Sequence, residues 1–342
     1  MSAVPFPPGW DRGDLRPALR AFRVGPALRG DAEARQAAQA LAPDPSPGEA
    51  RRFFECFFQP AATVPDGFLT GYYEPELPAS LRREGPFRWP LYAPPADLVR
   101  LEASAPGLDP DARFARRRPD GALEPYPDRA AIEAELLDGR GLEIAWLRSP
   151  VDRFFVHVQG SARLVLPDGA ALRVGFAAKN GHRFTAIGRV LVARGELALP
   201  EADMAGIRRW LASRPLEDGL ALMRENRSFI FFRVVDDIGD RDGPVGAAGL
   251  PLTPFGSLAV DPRHHAYGSL LFVHAPTLRI GARPFGQLLV AQDTGSAIVG
   301  PGRGDLFTGS GEAAGTLAGT IRHPCAFTAL LPRGSERNGD DG

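Results

Sequence analysis

A mostly β protein in two modules, trimmed with helices, is what the sequence predicts, and three observations predict it. The chain has 342 residues, a length that suggests about two domains. Its 39 glycines and 34 prolines exceed the usual share, which suits many short strands joined by turns better than long helices. Its apolar runs are short and bounded by turn residues, and none reaches the roughly 18 residues that a membrane span needs. Hydrophobic residues make up 44% of the chain, enough for a sizeable core, and 40 basic against 41 acidic residues leave a net charge of −1. That balance excludes a disordered charged tail and argues against a strongly basic nucleic-acid binder. Lys179 is the only lysine, so arginine carries the positive charge, and no arginine block gathers on one periodic face.

Taken in order, DAEARQAAQALAP at 31–43 predicts a helix opened by Asp31 and stopped by Pro43. A second helix over 47–59 aligns Ala50, Phe53, Phe54, Phe57 and Phe58 as an apolar stripe for docking, with Cys56 off the stripe. Gly67 to Pro75 reads as strand and turn carrying Tyr72, Tyr73 and Glu74, and PLYAPP at 90–95 as a connector. Residues 111–130, rich in arginine and proline, form a surface segment. A short helix over 128–138 leads into strands at 142–147, 153–158, 161–166 and 171–177, the last two joined at Pro167-Asp168-Gly169. Gln159, Gly160 and Ser161 fall in the preceding bend. Helices at 201–213 and 216–226 precede a strand at 229–235. Strands at 256–260, 269–274, 287–292 and 325–331 follow, with a helix at 312–320 whose Gly315 and Gly319 suggest close packing. Residues 97–236 therefore read as a module inserted into one made of 1–96 and 237–342. The two cysteines, Cys56 and Cys325, would pair only in an oxidising compartment, and two reduced thiols are the simpler expectation.

The chemistry is found by elimination. Of six histidines only His264 and His265 are neighbours, and no cysteine cluster offers a zinc shell, so no metal or cofactor is expected. There is no G-x-S-x-G elbow for a serine nucleophile. Gly300, Gly302 and Gly304 lack the following Lys-Ser/Thr of a phosphate loop, and GRGD at 302–305 is a poor adhesion signal in this context. Carboxylates remain. LLVAQDTGSAIVGPGRGDLFTGSG, from Leu288 to Gly311, carries Asp293 and Asp305 twelve residues apart among glycines, and Asp261 closes the earlier run GSLAVDP. Singly, each fits a turn former. Tyr72 and Tyr73 beside Glu74 fit either core tyrosines with a capping acid or a sugar site, where an aromatic face stacks on a pyranose and the acid holds its hydroxyls.

The ordered set SLAVDP, QDTGSAIVG and GRGDLFTGSG resembles the three-aspartate (3D) domain of the membrane-bound lytic transglycosylase A family. TGYYEPELPAS, HVQGSARLVLPDG, NGHRFTAIGR, RENRSFIFFR and GPVGAAGLPLTPFGSLAVDP resemble that family's other blocks in the same order, from about Thr70 to Pro332. The resemblance implies a double-psi β-barrel with an inserted smaller β-domain and a substrate cleft between them. It implies cleavage of the bond between N-acetylmuramic acid and N-acetylglucosamine in peptidoglycan with closure of a 1,6-anhydro sugar, a lyase-type reaction. Asp305 matches the catalytic aspartate, Asp293 a supporting acid, and Tyr72, Tyr73, Glu74, Gln159, Asn180 and Asp261 are candidates for holding the glycan, Asp261 equally for fixing the glycine loops. Alternatives are an inverting hydrolase using both acids, with Asp293 as base, and a non-catalytic wall-binding protein. Arg303 is expected to point away from Asp305 or to meet Asp293. The implied setting is periplasmic and outer-membrane associated, although no signal sequence or lipidated cysteine is visible near the start. Expected partners are glycan strands and cell-wall synthesis or scaffold proteins, with the chain itself a monomer.

Overall fold

The computed structural model describes residues 5–334 except 104, 237, 238, 240, 241 and 282. Three helices come first: α1 (Arg16–Val24), α2 (Ala32–Ala40) and α3 (Pro47–Phe57). The third starts at a capping box, in which the Ser46 hydroxyl accepts from the Glu49 amide while the Glu49 carboxylate accepts from the Ser46 amide. Its apolar stripe buries Ala50, Phe53 and Phe54, and the chain then turns directly into the long strand β1 (Phe58–Glu74). The chain forms two compact units, Met1–Tyr73 with Ile238–Gly342, and Glu74–Asp237.

The second unit holds a six-stranded sheet in the order β10-β9-β8-β2-β7-β3 and a small sheet β4-β5-β6. Its elements are β2 (Glu76–Ser80), β3 (Trp89–Tyr92), β4 (Leu98–Arg100), β5 (Phe114–Arg117), β6 (Leu123–Glu124), α4 (Arg129–Ala131), β7 (Glu143–Leu147), α5 (Pro150–Gln159), β8 (Ser161–Val165), β9 (Ala171–Lys179), α6 (Ile187–Ala193), α7 (Met204–Ala212), α8 (Leu216–Arg224) and β10 (Ile230–Val234). Residues 74–96 supply β2 and β3 to this sheet, so the unit starts earlier in the chain than the division at 96/97 drawn from composition. The strand expected over 153–158 is instead the body of α5. Ser149 accepts from the Val151 and Asp152 amides, Pro150 presets the first turn, and Gly160 at φ +81° ends the helix. Residues 153 to 157 are all buried, so the run shows no alternation and its caps decide the outcome. Buried Glu133 gathers Arg153 at 2.7 Å, Arg224 at 3.1 Å and Arg129 at 3.5 Å, tying α4, α5 and α8 together.

The chain returns as β11 (Ser257–Ala259), β12 (Leu270–Ile280), β13 (Arg283–Asp293), β14 (Arg303–Ser310), α9 (Gly311–Thr320) and β15 (Arg322–Pro332). With β1 these strands close a barrel in the order β1-β14-β11-β13-β12-β15, β1 pairing antiparallel with β15 to complete it. Strand periodicity sorts the side chains. Leu271, Val273, Leu289 and Ala291 join Leu69, Leu258, Leu306 and Phe327 inside, while Leu270, Phe272, Leu288 and Val290 face outward to meet Phe22, Phe53, Phe54 and Phe58. Helices α1 to α3 thus cover one side of the barrel, and the barrel with inserted β unit implied by the family resemblance is the observed architecture. Both cysteines are free thiols, Cys56 exposed and Cys325 buried.

Candidate active site

Asp305 lies on strand β14, with Leu306 beside it pointing into the barrel and Asp305 therefore pointing out. The sequence places both acids among glycines. The glycines act mainly through size: a Cβ on Gly304 would sit 3.0 Å from both the Phe327 ring and Leu258, so only a bare backbone lets β14 close on the filled interior. Of Gly295, Gly300, Gly302 and Gly304, only Gly300 takes a positive φ, at +104°.

Asp293 reaches the same outer face through a bulge. Leu258 of β11 pairs with Ala291 and the next residue, Ala259, with Asp293, so one step along β11 spans two along β13 and Gln292 is the extra residue. A regular strand would turn Asp293 inward, onto the side of Ala291; the bulge re-aims it. Ala259 also pairs with Asp305 on its other side. Two carboxylates therefore flank one alanine, their Cα atoms two strand spacings, or about 10 Å, apart. Gln292 is held in its buried place by the Ser257 hydroxyl, which donates to it at 2.5 Å, and by its own donation to the Ala21 carbonyl at 3.1 Å.

Strand β1 supplies the partners. Thr70 and Tyr72, two residues apart, share one face; the Thr70 hydroxyl donates to Asp305 Oδ1 at 2.5 Å and the Tyr72 hydroxyl to Asp293 Oδ2 at 2.8 Å. Asp293 Oδ1 accepts from the Ala247 and Thr294 amides, each at 2.9 Å. Desolvation drives the Asp305 carboxyl up to about 6 against the pull of the Thr70 hydrogen bond and the Arg303 charge, with Asp293 adding a smaller push. Desolvation also raises Asp293, opposed by its three donors. Burial, reinforced by Asp293, holds the Tyr72 phenol well above its ordinary value, so it stays a neutral donor. Among the described residues Arg303 makes no hydrogen bond or ion pair with either carboxylate, donating instead to Thr70 Oγ1 at 2.8 Å and to the Gly304 carbonyl with its guanidinium over the Phe68 ring, yet its charge still reaches Asp305 and lowers it. Among the described residues, Asp305 Oδ2 has no hydrogen-bond partner.

The other candidates have partners of their own. Tyr73 points to the opposite face of β1, where its ring occupies the space that a Gly315 side chain on α9 would need. Asp261 is buried and its oxygens accept from Arg263 at 2.7 and 2.9 Å and from the Gly300 amide at 2.8 Å; the Arg263 hydrogen bond leads in holding it well below the usual carboxylate range. It is a loop pin, one of the two roles its sequence position allowed. Glu74, Gln159 and Asn180 belong to the other unit. Glu74 is fully buried and ion-paired with Arg173 at 2.9 Å. Asn180 spends its amide on the Pro127 and Arg227 carbonyls and on the Phe229 amide. Gln159 is not in a bend but ends α5. Thr70 was missed as the hydrogen-bond partner of Asp305. Its signal was available in the alternation of Thr70 with Tyr72 along a strand whose neighbouring residues, Leu69 and Tyr73, are apolar or aromatic.

Residues 68–233 match the family model of the MltA specific insert domain, and residues 256–331 that of the 3D domain, which spans Asp261, Asp293 and Asp305. The crystal structure of a membrane-bound lytic murein transglycosylase from Agrobacterium tumefaciens superposes with a TM-score of 0.86 over 95% of each chain, at 43% identity. The chain belongs to the MltA family. Against the membrane-bound lytic murein transglycosylase A of Escherichia coli K12 it is 32% identical over 261 residues, which cover 75% of this chain and 63% of that protein, so the match spans less than two thirds of the curated relative's length. The crystal structure of E. coli MltA with bound chitohexaose matches at a TM-score of 0.72 and 26% identity, over 97% of this chain and 92% of that one. The MltA insert match begins at 68, inside β1, so Thr70 and Tyr72 fall within it although the strand that carries them closes the barrel.

Proposed function

We propose that this MltA-family chain is a lytic transglycosylase of peptidoglycan, with Asp305 as its single catalytic acid and base. The observation that carries this reading is the inequality of the two carboxyls. Asp305 has a raised pKa near 6 and an unengaged Oδ2, whereas both oxygens of Asp293 are committed to Tyr72, Ala247 and Thr294. One acid suffices if the nucleophile is the substrate's own. The protonated Asp305 gives its proton to the glycosidic oxygen between N-acetylmuramic acid and N-acetylglucosamine, and the bond from that oxygen to C1 breaks. The C6 hydroxyl of the muramic sugar then bonds to C1 and yields its proton to the Asp305 carboxylate. The acid is regenerated, no water is consumed, and a 1,6-anhydro sugar results. Tethering of the attacking hydroxyl replaces the separate nucleophile of ordinary glycosidases. Asp293 supports this chemistry electrostatically and by holding Tyr72. Chitohexaose bound to the E. coli relative supports a glycan as ligand.

Among the described residues no helix is long and apolar enough to cross a membrane, while the relatives are named membrane-bound. The reading places the reaction on the periplasmic side, at the murein layer. Digestion of purified murein followed by mass spectrometry tests it. Anhydro-muropeptides are expected; fragments heavier by one water select an inverting hydrolase using Asp293 and Asp305, and retained murein binding without turnover selects a binding protein.

A further inference from the structure

We infer that Thr70 and Arg303 form an orienting relay that reserves Oδ2 of Asp305 for the glycosidic oxygen, making both of them positioning residues. The inference rests on the reading of Asp305 as the proton donor. A guanidinium has donors and no acceptor, so the Arg303 Nη2 contact to Thr70 Oγ1 at 2.8 Å must consume a lone pair of that hydroxyl. The single hydroxyl proton of Thr70 is left for Asp305 Oδ1, 2.5 Å away. Oδ1 is then an acceptor, and the transferable proton of the acid resides on Oδ2, the oxygen without a partner among the described residues.

The same bond strengthens as the reaction proceeds. A hydroxyl donates more strongly to a carboxylate than to a carboxylic acid, so the Thr70 contact favours Asp305 after it has given up its proton, and thus lowers the barrel site's transition state more than its ground state. Arg303 is fixed for this task from two sides, donating to the Gly304 carbonyl and lying over Phe68. The other titratable groups facing this locus are Tyr72 on β1, Asp293 on β13 and, beside Arg303, Cys325 on β15. Of these only Asp293 raises Asp305, while Thr70 and Arg303 both lower it.

The test uses the full chain with Thr70→Val, Thr70→Ser and Arg303→Gln, steady-state kinetics on murein, and a carbon-13 NMR titration of the Asp305 carboxyl that needs no turnover. Thr70→Val is expected to lower kcat about 10- to 100-fold with KM little changed, the range for losing a hydrogen bond to a charged group. Because the lost contact favoured the carboxylate, the Asp305 titration moves to higher pH in Thr70→Val and in Arg303→Gln, and Thr70→Ser restores both kcat and titration. An unmoved titration in both Thr70→Val and Arg303→Gln overturns the relay, as does a Thr70→Ser variant no better than Thr70→Val. Should Thr70→Val fail to fold, Thr70→Ser and Arg303→Gln decide. The titration judges the relay even if wild-type products prove to be hydrolytic, which would sink the transglycosylase reading alone.

Discussion

Replacing Asp305 with asparagine should stabilise the protein while silencing it. The carboxyl titrates at about 6 instead of its ordinary 3.8, because burial penalises its charged form more than Thr70 and Arg303 reward it. Between those two values the folded state holds a proton that the unfolded chain has released, so stability falls as pH rises through the interval. The shift amounts to about two pH units, each worth about 1.4 kcal/mol, so the cost at pH 8 is on the order of 1–3 kcal/mol. Asparagine avoids that cost and still offers an oxygen to the Thr70 hydroxyl. Urea denaturation of wild type and Asp305→Asn at pH 8, 6 and 4 measures the difference. The variant should be the more stable at pH 8, with the gap closing near pH 4, and it should bind glycan yet release no anhydro sugar. A variant no more stable than wild type at pH 8, or a gap that ignores pH, would refute the claim that desolvation holds this acid ready.

Three further outcomes follow from the same structure. With Asp305 as the proposed proton donor, kcat/KM on murein should fall as pH rises through about 6, tenfold per unit above it, in a pH-rate profile. Gly315→Ala places a methyl 2.6 Å from the Tyr73 ring and should cost about 1–3 kcal/mol by overpacking, read as a lowered denaturation midpoint. Glu74→Gln replaces a fully buried carboxylate, ion-paired with Arg173 at 2.9 Å, by a neutral amide and should destabilise the inserted unit by about 1–3 kcal/mol, seen as earlier loss of hydrogen-exchange protection in β9 than in the barrel strands.

Much of this was legible in the sequence because the physics is local. The phenylalanine stripe of α3, the Pro-Asp-Gly turn between β8 and β9 and the apolar runs of β12 and β13 each declare themselves within a dozen residues. The acids stood out by their motif. Three things escaped. Helix α5 was read as a strand because an unbroken buried run has no period, and the deciding Ser149-Pro150 cap lies outside it. Strand β14 was not read as a strand because its glycines weaken the signal, although Gly304 is demanded by Phe327 and Leu258 across the barrel. The bulge at Gln292 is a property of two strands in register, and neither strand alone reveals it. Among the glycan-holding candidates, Glu74 and Asn180 satisfy buried partners within their own unit.

The barrel's connectivity also sets when it can act. Thr70 meets Asp305 across 235 residues of chain and Tyr72 meets Asp293 across 221, because the whole inserted unit is spelled out between them. A nascent chain leaving the ribosome therefore carries the hydroxyl donors long before either acid exists. Joining strands so far apart pays its loop-closure entropy late and slowly. A chain that stops before residue 305 lacks Asp305, so donors and acids are brought together only after the inserted unit has been synthesised.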